Sequence, residues 1–185
     1  MIDRAFLARV RIEPLDRELH DRAAFSCGEE RVDNFLKKTA ARQQDDDHTR
    51  VNVSCLDKEK TVIGFYALNT HSIEVSTLPE SYRKKLPSYP SISAIYLSVV
   101  GVDSASQGKG LGKHLMGHVF ARCVDVADKI GAHFIVLDAL NDRAAKLYRE
   151  LGFVDLPGHE HRMLIRMAMV RKALEQALQS VSKTR

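Results

Sequence analysis

A glycine-rich turn between an apolar strand pattern and a long helix pattern constrains the fold more than any other feature. It reads Gln107-Gly108-Lys109-Gly110-Leu111-Gly112, follows the apolar run 92–102 and opens the periodic segment Leu111–Ile130. Glycines at a strand-to-helix turn let backbone N–H groups converge on an anion, and the helix N-terminus adds its dipole. The pattern therefore predicts a pyrophosphate site.

Two other phosphate-binding motifs fit this turn poorly. A Walker loop would have glycine at position 107 and serine or threonine after Lys113, where the chain has Gln107 and His114. A dinucleotide-binding fingerprint would have glycine at position 113. Both motifs are therefore disfavoured.

A second pattern lies downstream of the turn. Asn141 follows the apolar segment 134–140 and is a suitable helix N-cap, and Gly152 is a suitable helix stop before Phe153. Apolar residues between them, at three- and four-residue spacing, predict one inward-facing helix side. Tyr148 lies beside that side, so spacing alone leaves it either a core residue or a functional phenol.

Together, the two patterns resemble the GCN5-related N-acetyltransferase (GNAT) superfamily. Gln107, Gly110 and Gly112 match its acetyl-CoA motif Gln/Arg-x-x-Gly-x-Gly/Ala, and residues 141–153 match Asn-x-x-Ala-x-x-Leu-Tyr-x-x-x-Gly-Phe. The resemblance implies an α/β fold with a mixed, mostly antiparallel central sheet, flanked by helices and splayed at the acetyl-CoA site. It also implies that acetyl-CoA is the cosubstrate and that a primary amine attacks its thioester directly.

The resemblance assigns roles to individual residues. Tyr148 would donate a hydrogen bond to the departing thiolate, as a phenol with a pKa of about 10 can. The residues expected to bind acetyl-CoA are Val100, Val102, Gln107, Gly108, Lys109, Gly110, Leu111, Gly112, Lys113 and Asn141. No metal is expected.

Two features of the strand before the turn bear on this assignment. Gly101 is unfavourable inside a strand, and such a glycine often marks a bulge or a close approach by another backbone or a ligand. Residues 92–102 contain no carboxylate that could serve as general base, so His71 and Glu74 are the candidates. An α-amine, with a pKa near 8 against about 10.4 for lysine, is the easier acceptor.

A narrower resemblance concerns the first half of the chain. Phe25-Ser26-Cys27-Gly28, residues 32–36 and residues 62–69 resemble the GNAT toxins of bacterial type II toxin–antitoxin pairs. This resemblance implies acetylation of the α-amine of aminoacyl-tRNA and silencing by a ribbon-helix-helix antitoxin. A homodimer is a candidate assembly, but the sequence leaves the oligomeric state open. The chain departs from the pattern at Val99, where many such toxins have arginine, and in a C-terminal strand preceded only by Pro157.

Two alternatives stay open at this point. One is a metabolic or protein N-acetyltransferase that acts on a small amine or a peptide. The other is a CoA-binding module without turnover.

Length and composition set the remaining expectations. With 185 residues, 44% of them hydrophobic, the chain predicts a single N-acetyltransferase domain over 1–185, with a core at about 25–170 and a C-terminal helix or tail over 171–185. No signal peptide or membrane span is evident, so a cytoplasmic protein is expected. The three cysteines suggest neither a disulfide framework nor a zinc site.

Local patterns predict the elements of this domain. Strands are expected at 9–15, 50–56, 61–69, 92–102, 134–140 and 163–170, helices at 29–44, 111–130, 142–151 and 171–179, and a loop or short helical insertion at 79–90.

The net charge of +4 suits an anionic ligand such as CoA phosphates or tRNA. If tRNA binds, its phosphates should contact the basic groups Lys37-Lys38, Arg42, Arg83-Lys84-Lys85, Arg162 and Arg166.

Overall fold

The computed structural model describes residues 2–182; Met1 and the end of the predicted C-terminal tail lie outside the described residues. The strands are β1 (Val10–Pro14), β2 (Arg50–Leu56), β3 (Gly64–Glu74), β4 (Ser91–Val102), β5 (Phe134–Asp138), β6 (Val154–Asp155) and β7 (Arg162–Arg166). They form a seven-stranded sheet in the order β1-β2-β3-β4-β5-β7-β6. The pair β4–β5 is parallel, whereas β1–β2, β2–β3, β5–β7 and β6–β7 are antiparallel. The predicted mixed, mostly antiparallel sheet is confirmed.

The helices account for most of the remaining chain. They are α1 (Arg4–Leu7), α2 (Glu30–Asn34), α3 (Ala40–Asp45), α4 (Glu80–Arg83), α5 (Leu111–Ile130), α6 (Asp142–Glu150) and α7 (Met167–Ser182). A π-helical turn, Phe35–Thr39, joins α2 to α3, so the predicted helix 29–44 is continuous but locally widened. None of the helices within residues 2–182 is long and apolar enough to cross a membrane.

The described chain clusters into two compact units. Unit 1 comprises residues 2–69 and 98–119, and unit 2 comprises residues 70–97 and 120–182. Each unit contains its own cluster of buried apolar side chains.

Aromatic side chains organise the core of unit 1. The ring of Phe65 on β3 makes an edge contact with Phe25 at a centroid distance of 5.4 Å and stacks on Phe35 at 6.1 Å. Gly101 on β4 is buried against this cluster, because a Cβ there would lie 2.9 Å from carbons of both Phe65 and Val32. A close approach at Gly101, as predicted, is made by core side chains.

Strand β5 lies at the centre of unit 2. Its residues Phe134–Leu137 pair in parallel with Ala94–Leu97 of β4, and on its other edge it pairs with β7. Helix α6 follows, with Asn141 at its N-cap and Gly152 in the left-handed region (φ +93°) after its end, as predicted.

The structure corrects several predicted boundaries. Strand β3 begins at Gly64 and continues to Glu74, because its polar second half still pairs in the sheet. The predicted strand 163–170 ends at Arg166, and α7 begins at Met167, because a short apolar run is compatible with either a strand or a helix. Helix α1 and the short β6 were not predicted.

The three cysteines are free thiols. Cys55 and Cys123 are buried and Cys27 is half-buried. Burial raises the pKa of Cys123 to about 12, so this thiol stays protonated at neutral pH.

The packing around Gly101 predicts that Gly101→Ala destabilises the protein. The added methyl group would overpack rigid aromatic neighbours, so the free energy of unfolding should fall by about 1–3 kcal/mol. Urea denaturation measures the change. Gly117→Ala on α5 is the matched control, because a Cβ there meets nothing within 4 Å and alanine favours a helix, raising stability by about 0.5–1 kcal/mol. Equal stability of the two variants would contradict the packing argument.

Candidate active site

The glycine turn of unit 1 has the geometry of an anion site. Gly108 (φ +77°) and Gly110 (φ +93°) occupy the left-handed region that glycine adopts without steric cost. Within residues 2–182, the amide N–H groups of residues 108–113 donate no hydrogen bond to the protein, and the first bond that α5 makes with the turn is from His114 N–H to the Gly110 carbonyl. A run of unpaired N–H groups at a helix N-terminus is suited to a diphosphate.

Gln107 contributes to this turn as a support. Its side-chain amide nitrogen donates hydrogen bonds of 3.0 Å to the carbonyls of Cys27 and Val102. Asp103 begins the turn by accepting a hydrogen bond from the Ala105 N–H. The end of β4 is therefore tied to the turn through side chains.

The Phe25-Ser26-Cys27-Gly28 segment forms the other half of this support. The Ser26 N–H donates to Asp103, and Ser104 donates to the Ser26 carbonyl through both its N–H and its hydroxyl. Asp33 accepts hydrogen bonds from the Cys27 N–H at 2.8 Å and from the Ser26 hydroxyl at 3.2 Å. Residues 25–33 and the glycine turn, far apart in sequence, thus share one hydrogen-bond network.

The ionisation of this network is well defined. Burial alone would raise the pKa of Asp33, but hydrogen bonds from Cys27 and Ser26 outweigh it and lower the pKa. Burial, together with the Asp33 carboxylate, raises the pKa of the Cys27 thiol to about 11. Asp33 is therefore a stable anionic acceptor at neutral pH, and Cys27 is an unreactive thiol.

The N-terminal segment also contacts the turn, which sequence reasoning missed. The Asp3 N–H donates to the Lys109 carbonyl at 3.1 Å. The Lys109 ammonium lies 4.9 Å from the centre of the Phe6 ring on α1. Because α1 is a single short turn without an apolar period, no sequence pattern indicated these contacts.

The other predicted acetyl-CoA residues of unit 1 lie beside these groups. Val100 and Val102 are half-buried on β4, and the Val102 carbonyl is already engaged by Gln107. Leu111 is buried at the start of α5, and Lys113 in the first helical turn is exposed. Unit 1 therefore brings together all the predicted coenzyme residues except Asn141.

Tyr148 lies on α6 in unit 2. Its side chain is 7% exposed and its ring makes an edge contact with Phe153 at a centroid distance of 5.7 Å. Burial raises the pKa of the phenol to about 12, and its hydroxyl has no hydrogen-bond partner in the part of the chain that the structure describes. Tyr148 is thus a protonated phenol with a donor to offer at neutral pH.

Asn141 occupies the N-cap of the same helix. Its side-chain oxygen accepts a hydrogen bond of 3.0 Å from the Ala144 N–H. The cap leaves the exposed side-chain NH₂ group of Asn141 available to a ligand.

The two general-base candidates differ in surroundings. His71 is half-buried on β3, with its ring 5.3 Å from that of Tyr96. Glu74, at the end of the same strand, is exposed. Of the two candidates, His71 is the one whose side chain packs against a neighbouring ring.

Comparison with known proteins identifies the family. Residues 16–153 match the model of the acetyltransferase (GNAT) family. The chain belongs to this family. As a GNAT enzyme, it is an acetyltransferase, in agreement with the prediction from its two motifs.

Two relatives are similar over most of their length. A "Probable toxin TacT" of Sinorhizobium fredii is 42% identical over 170 residues, which cover 88% of this chain and 94% of the relative. A "tRNA-acetylating toxin" of Mycobacterium tuberculosis is 34% identical over 151 residues, covering 82% and 89%. The predicted resemblance to GNAT toxins is confirmed.

Two solved structures share the fold. The structure "AtaT complexed with acetyl-methionyl-tRNAfMet" has a TM-score of 0.82 and 29% identity, covering 89% of this chain and 98% of that one. The structure "Crystal structure of AtaTR bound with AcCoA" has a TM-score of 0.79 and 28% identity, covering 90% and 98%.

The geometry of the turn predicts that Gly108→Ala weakens acetyl-CoA binding. Alanine costs about 1–2 kcal/mol in the left-handed region, so relaxation of the backbone would turn N–H groups away and raise Kd about tenfold. Isothermal titration calorimetry measures this change. Gly131→Ala, at the end of α5, is the matched control, because Gly131 (φ +74°) is equally strained by a Cβ and equally open. Similar loss of affinity in both variants would show that the turn has no special role.

Proposed function

We propose that this GNAT acetyltransferase is a toxin that transfers the acetyl group of acetyl-CoA to the α-amine of aminoacyl-tRNA. The observation that carries the proposal is the likeness of the whole fold to AtaT, whose structure holds acetyl-methionyl-tRNAfMet. The relative named as a tRNA-acetylating toxin supports the same acceptor. Acetyl-CoA as cosubstrate is supported by the family and by the AtaTR structure with AcCoA.

The coenzyme is assigned to the residues of the turn and the strand before it. The N–H groups of residues 108–113, which have no acceptor among the described residues, would hold the diphosphate. Backbone groups of Val100 and Val102 would pair with the pantetheine amides, while Asn141 would add a hydrogen bond from its side-chain NH₂. Gln107 would act indirectly, by fixing the turn to the end of β4.

The chemical step is a direct attack of the amine nitrogen on the thioester carbonyl carbon. The C–N bond forms, the C–S bond breaks, and the thiolate needs a proton. A phenol whose pKa is about 12 stays protonated at neutral pH and can donate to sulfur as negative charge develops there. Tyr148 is assigned this role.

The proposal extends to partners and location. An enzyme that blocks translation requires a neutralising partner in its own cell, and a ribbon-helix-helix antitoxin is the proposed one. We also propose a single catalytic domain that works as a homodimer in the cytoplasm, where aminoacyl-tRNA is found.

The first test is Tyr148→Phe. Loss of the hydroxyl should lower kcat for acetylation of aminoacyl-tRNA by about 10²–10⁴-fold, because the thiolate loses its proton donor. Transfer of radiolabelled acetyl to charged tRNA measures the rate, and calorimetry should show retained acetyl-CoA binding. Induced wild-type protein should arrest bacterial growth, and the variant should not.

Tyr89→Phe is the matched control, because Tyr89 is exposed and assigned no role. It should retain wild-type activity and growth arrest. Wild-type protein that acetylates small amines but leaves charged tRNA unmodified would refute the proposed acceptor.

The basic groups predicted to meet tRNA differ in the partners they already have. Arg162 forms a two-bond ion pair with Asp138, and the Arg166 guanidinium lies 5.2 Å from the centre of the Tyr82 ring. By contrast, Arg83, Lys84 and Lys85 are exposed at the end of α4, and the ion pair of Lys84 with Glu80 is itself exposed to solvent. These three are the proposed phosphate contacts.

Replacing Arg83, Lys84 and Lys85 together by alanine should therefore raise KM for charged tRNA and leave acetyl-CoA affinity unchanged. The slope of log affinity against log salt should shrink by up to about 1 for each lost phosphate contact. Filter binding over a salt series measures the slope. A control that removes three exposed charges elsewhere, at Lys58, Lys60 and Lys172, should behave as wild type. Equal salt slopes in both triple variants would exclude α4 as the tRNA surface.

A further inference from the structure

A polar cluster lies in unit 2 where the parallel β4–β5 ladder ends. The last paired residues are Leu97 and Leu137, and Asp138 follows directly on β5. Tyr96 pairs with Val136 and therefore shares a face with Asp138. Ligands of α/β sheets bind outside the carboxyl ends of parallel strands, so a polar group at this position is placed to meet a substrate.

Asp138 is the fixed centre of the cluster. Its oxygens accept hydrogen bonds of 2.7 and 2.8 Å from Arg162 on β7 and one of 2.8 Å from the Tyr96 hydroxyl. The hydrogen bonds from Arg162, aided by the one from Tyr96, lower the pKa of Asp138. A carboxylate with this many donors is a poor proton acceptor, so Asp138 serves to hold Tyr96 in place.

The His71 ring packs against the ring of Tyr96, whose hydroxyl donates a hydrogen bond to Asp138. The ring centroids of His71 and Tyr96 are 5.3 Å apart, and the planes are tilted by 33°. The charged groups that bear on the imidazole are Arg162 and Asp138, on the two strands beyond β4. Within unit 2, the half-buried imidazole therefore lies beside Tyr96, whose hydroxyl shares the Asp138 carboxylate with Arg162.

We propose that His71 is the general base, and that its imidazole removes a proton from the α-ammonium group of the acceptor. This inference rests on the proposed function, in which the acceptor is an α-amine. Tyr96, Asp138 and Arg162 are positioning residues that set the orientation of the imidazole.

The step balances without any further reactant. The acceptor ammonium loses one proton to a ring nitrogen of His71, and the neutral amine then attacks the thioester carbonyl carbon. As the C–S bond breaks, the thiolate takes the Tyr148 hydroxyl proton, and the nitrogen of the new amide gives up its second proton to restore the phenol. The histidine releases its proton to water, so acetyl-CoA and ammonium become amide, CoA thiol and one proton.

The protonation state of His71 suits this role. Burial is the main cause that lowers its pKa, and Arg162 lowers it further, although Asp138 acts in the opposite direction. A lowered pKa keeps the imidazole neutral at pH values below its ordinary pKa of about 6.5. The base is therefore available throughout the neutral range, in which most of an α-amine is still protonated.

The test compares the pH dependence of kcat in wild type, His71→Gln and His133→Gln, with saturating acetyl-CoA and either charged tRNA or a small primary amine as acceptor. His133 is the matched control, because burial also lowers its pKa and it is half-buried, but it packs on Phe134 instead of Tyr96. Calorimetry with acetyl-CoA and urea denaturation establish that each variant binds the coenzyme and is folded.

His71→Gln should lower kcat about 100-fold at pH 6.5, as loss of a general base does. The deficit should shrink about tenfold per pH unit up to about pH 8, where the acceptor supplies its own free amine. His133→Gln should keep the wild-type profile. A pH-independent deficit, or no deficit, in His71→Gln would overturn the proposal.

A second measurement does not depend on the glutamine variant. Free imidazole should restore activity to His71→Ala in proportion to its neutral form, and should not restore activity to Tyr148→Phe. Absence of rescue would count against a proton-accepting role. If wild type acetylates the small amine and not charged tRNA, the proposed acceptor is wrong, and the role of His71 is then decided by its profile on the small amine.

Discussion

The glycine turn, which is the proposed coenzyme site, is fixed at its start by a set of hydrogen bonds that do not use the amides of residues 108–113. Asp33 holds residues 26 and 27, and the Ser26 N–H bonds to Asp103 at the end of β4. Gln107 then closes the set by bonding to Cys27 and Val102. These bonds use side chains and carbonyls, and the N–H groups of residues 108–113 have no hydrogen-bond acceptor within residues 2–182. The half-buried carboxylate of Asp33 thus supports the proposed anion site from residues 26 and 27, which lie far from the glycines in sequence.

Much of this architecture could be predicted from local patterns. The α5 boundaries, the Asn141 cap and the Gly152 stop follow from apolar periodicity and capping chemistry, and the structure confirms them. The long β4 was also predicted, to within a residue. These features depend on neighbours within a few positions, which is why sequence reasoning reached them.

Features that depend on distant pairing could not be reached in this way. The polar second half of β3 resembles a loop, and only its place in the sheet makes it a strand, so the predicted strand stopped at residue 69, before His71. The toxin-like segment at residues 25–28 was recognised as a pattern, but its bonds to Asp103 and Ser104 span more than 70 positions and leave no periodic signal. Arg162 and Arg166, predicted as phosphate contacts, have partners in Asp138 and Tyr82 that the sequence does not disclose.

The contact between the N-terminal segment and the glycine turn has a practical consequence. Ile2 atoms lie 3.5 Å from the position that a Cβ on Gly110 would take. The Asp3 N–H donates a hydrogen bond to the carbonyl of Lys109, the residue before Gly110. A purification tag fused ahead of Ile2 would therefore start from a residue that packs against the glycine turn, the proposed diphosphate site. Affinities for the coenzyme are best measured on protein that carries its tag after α7 or has none.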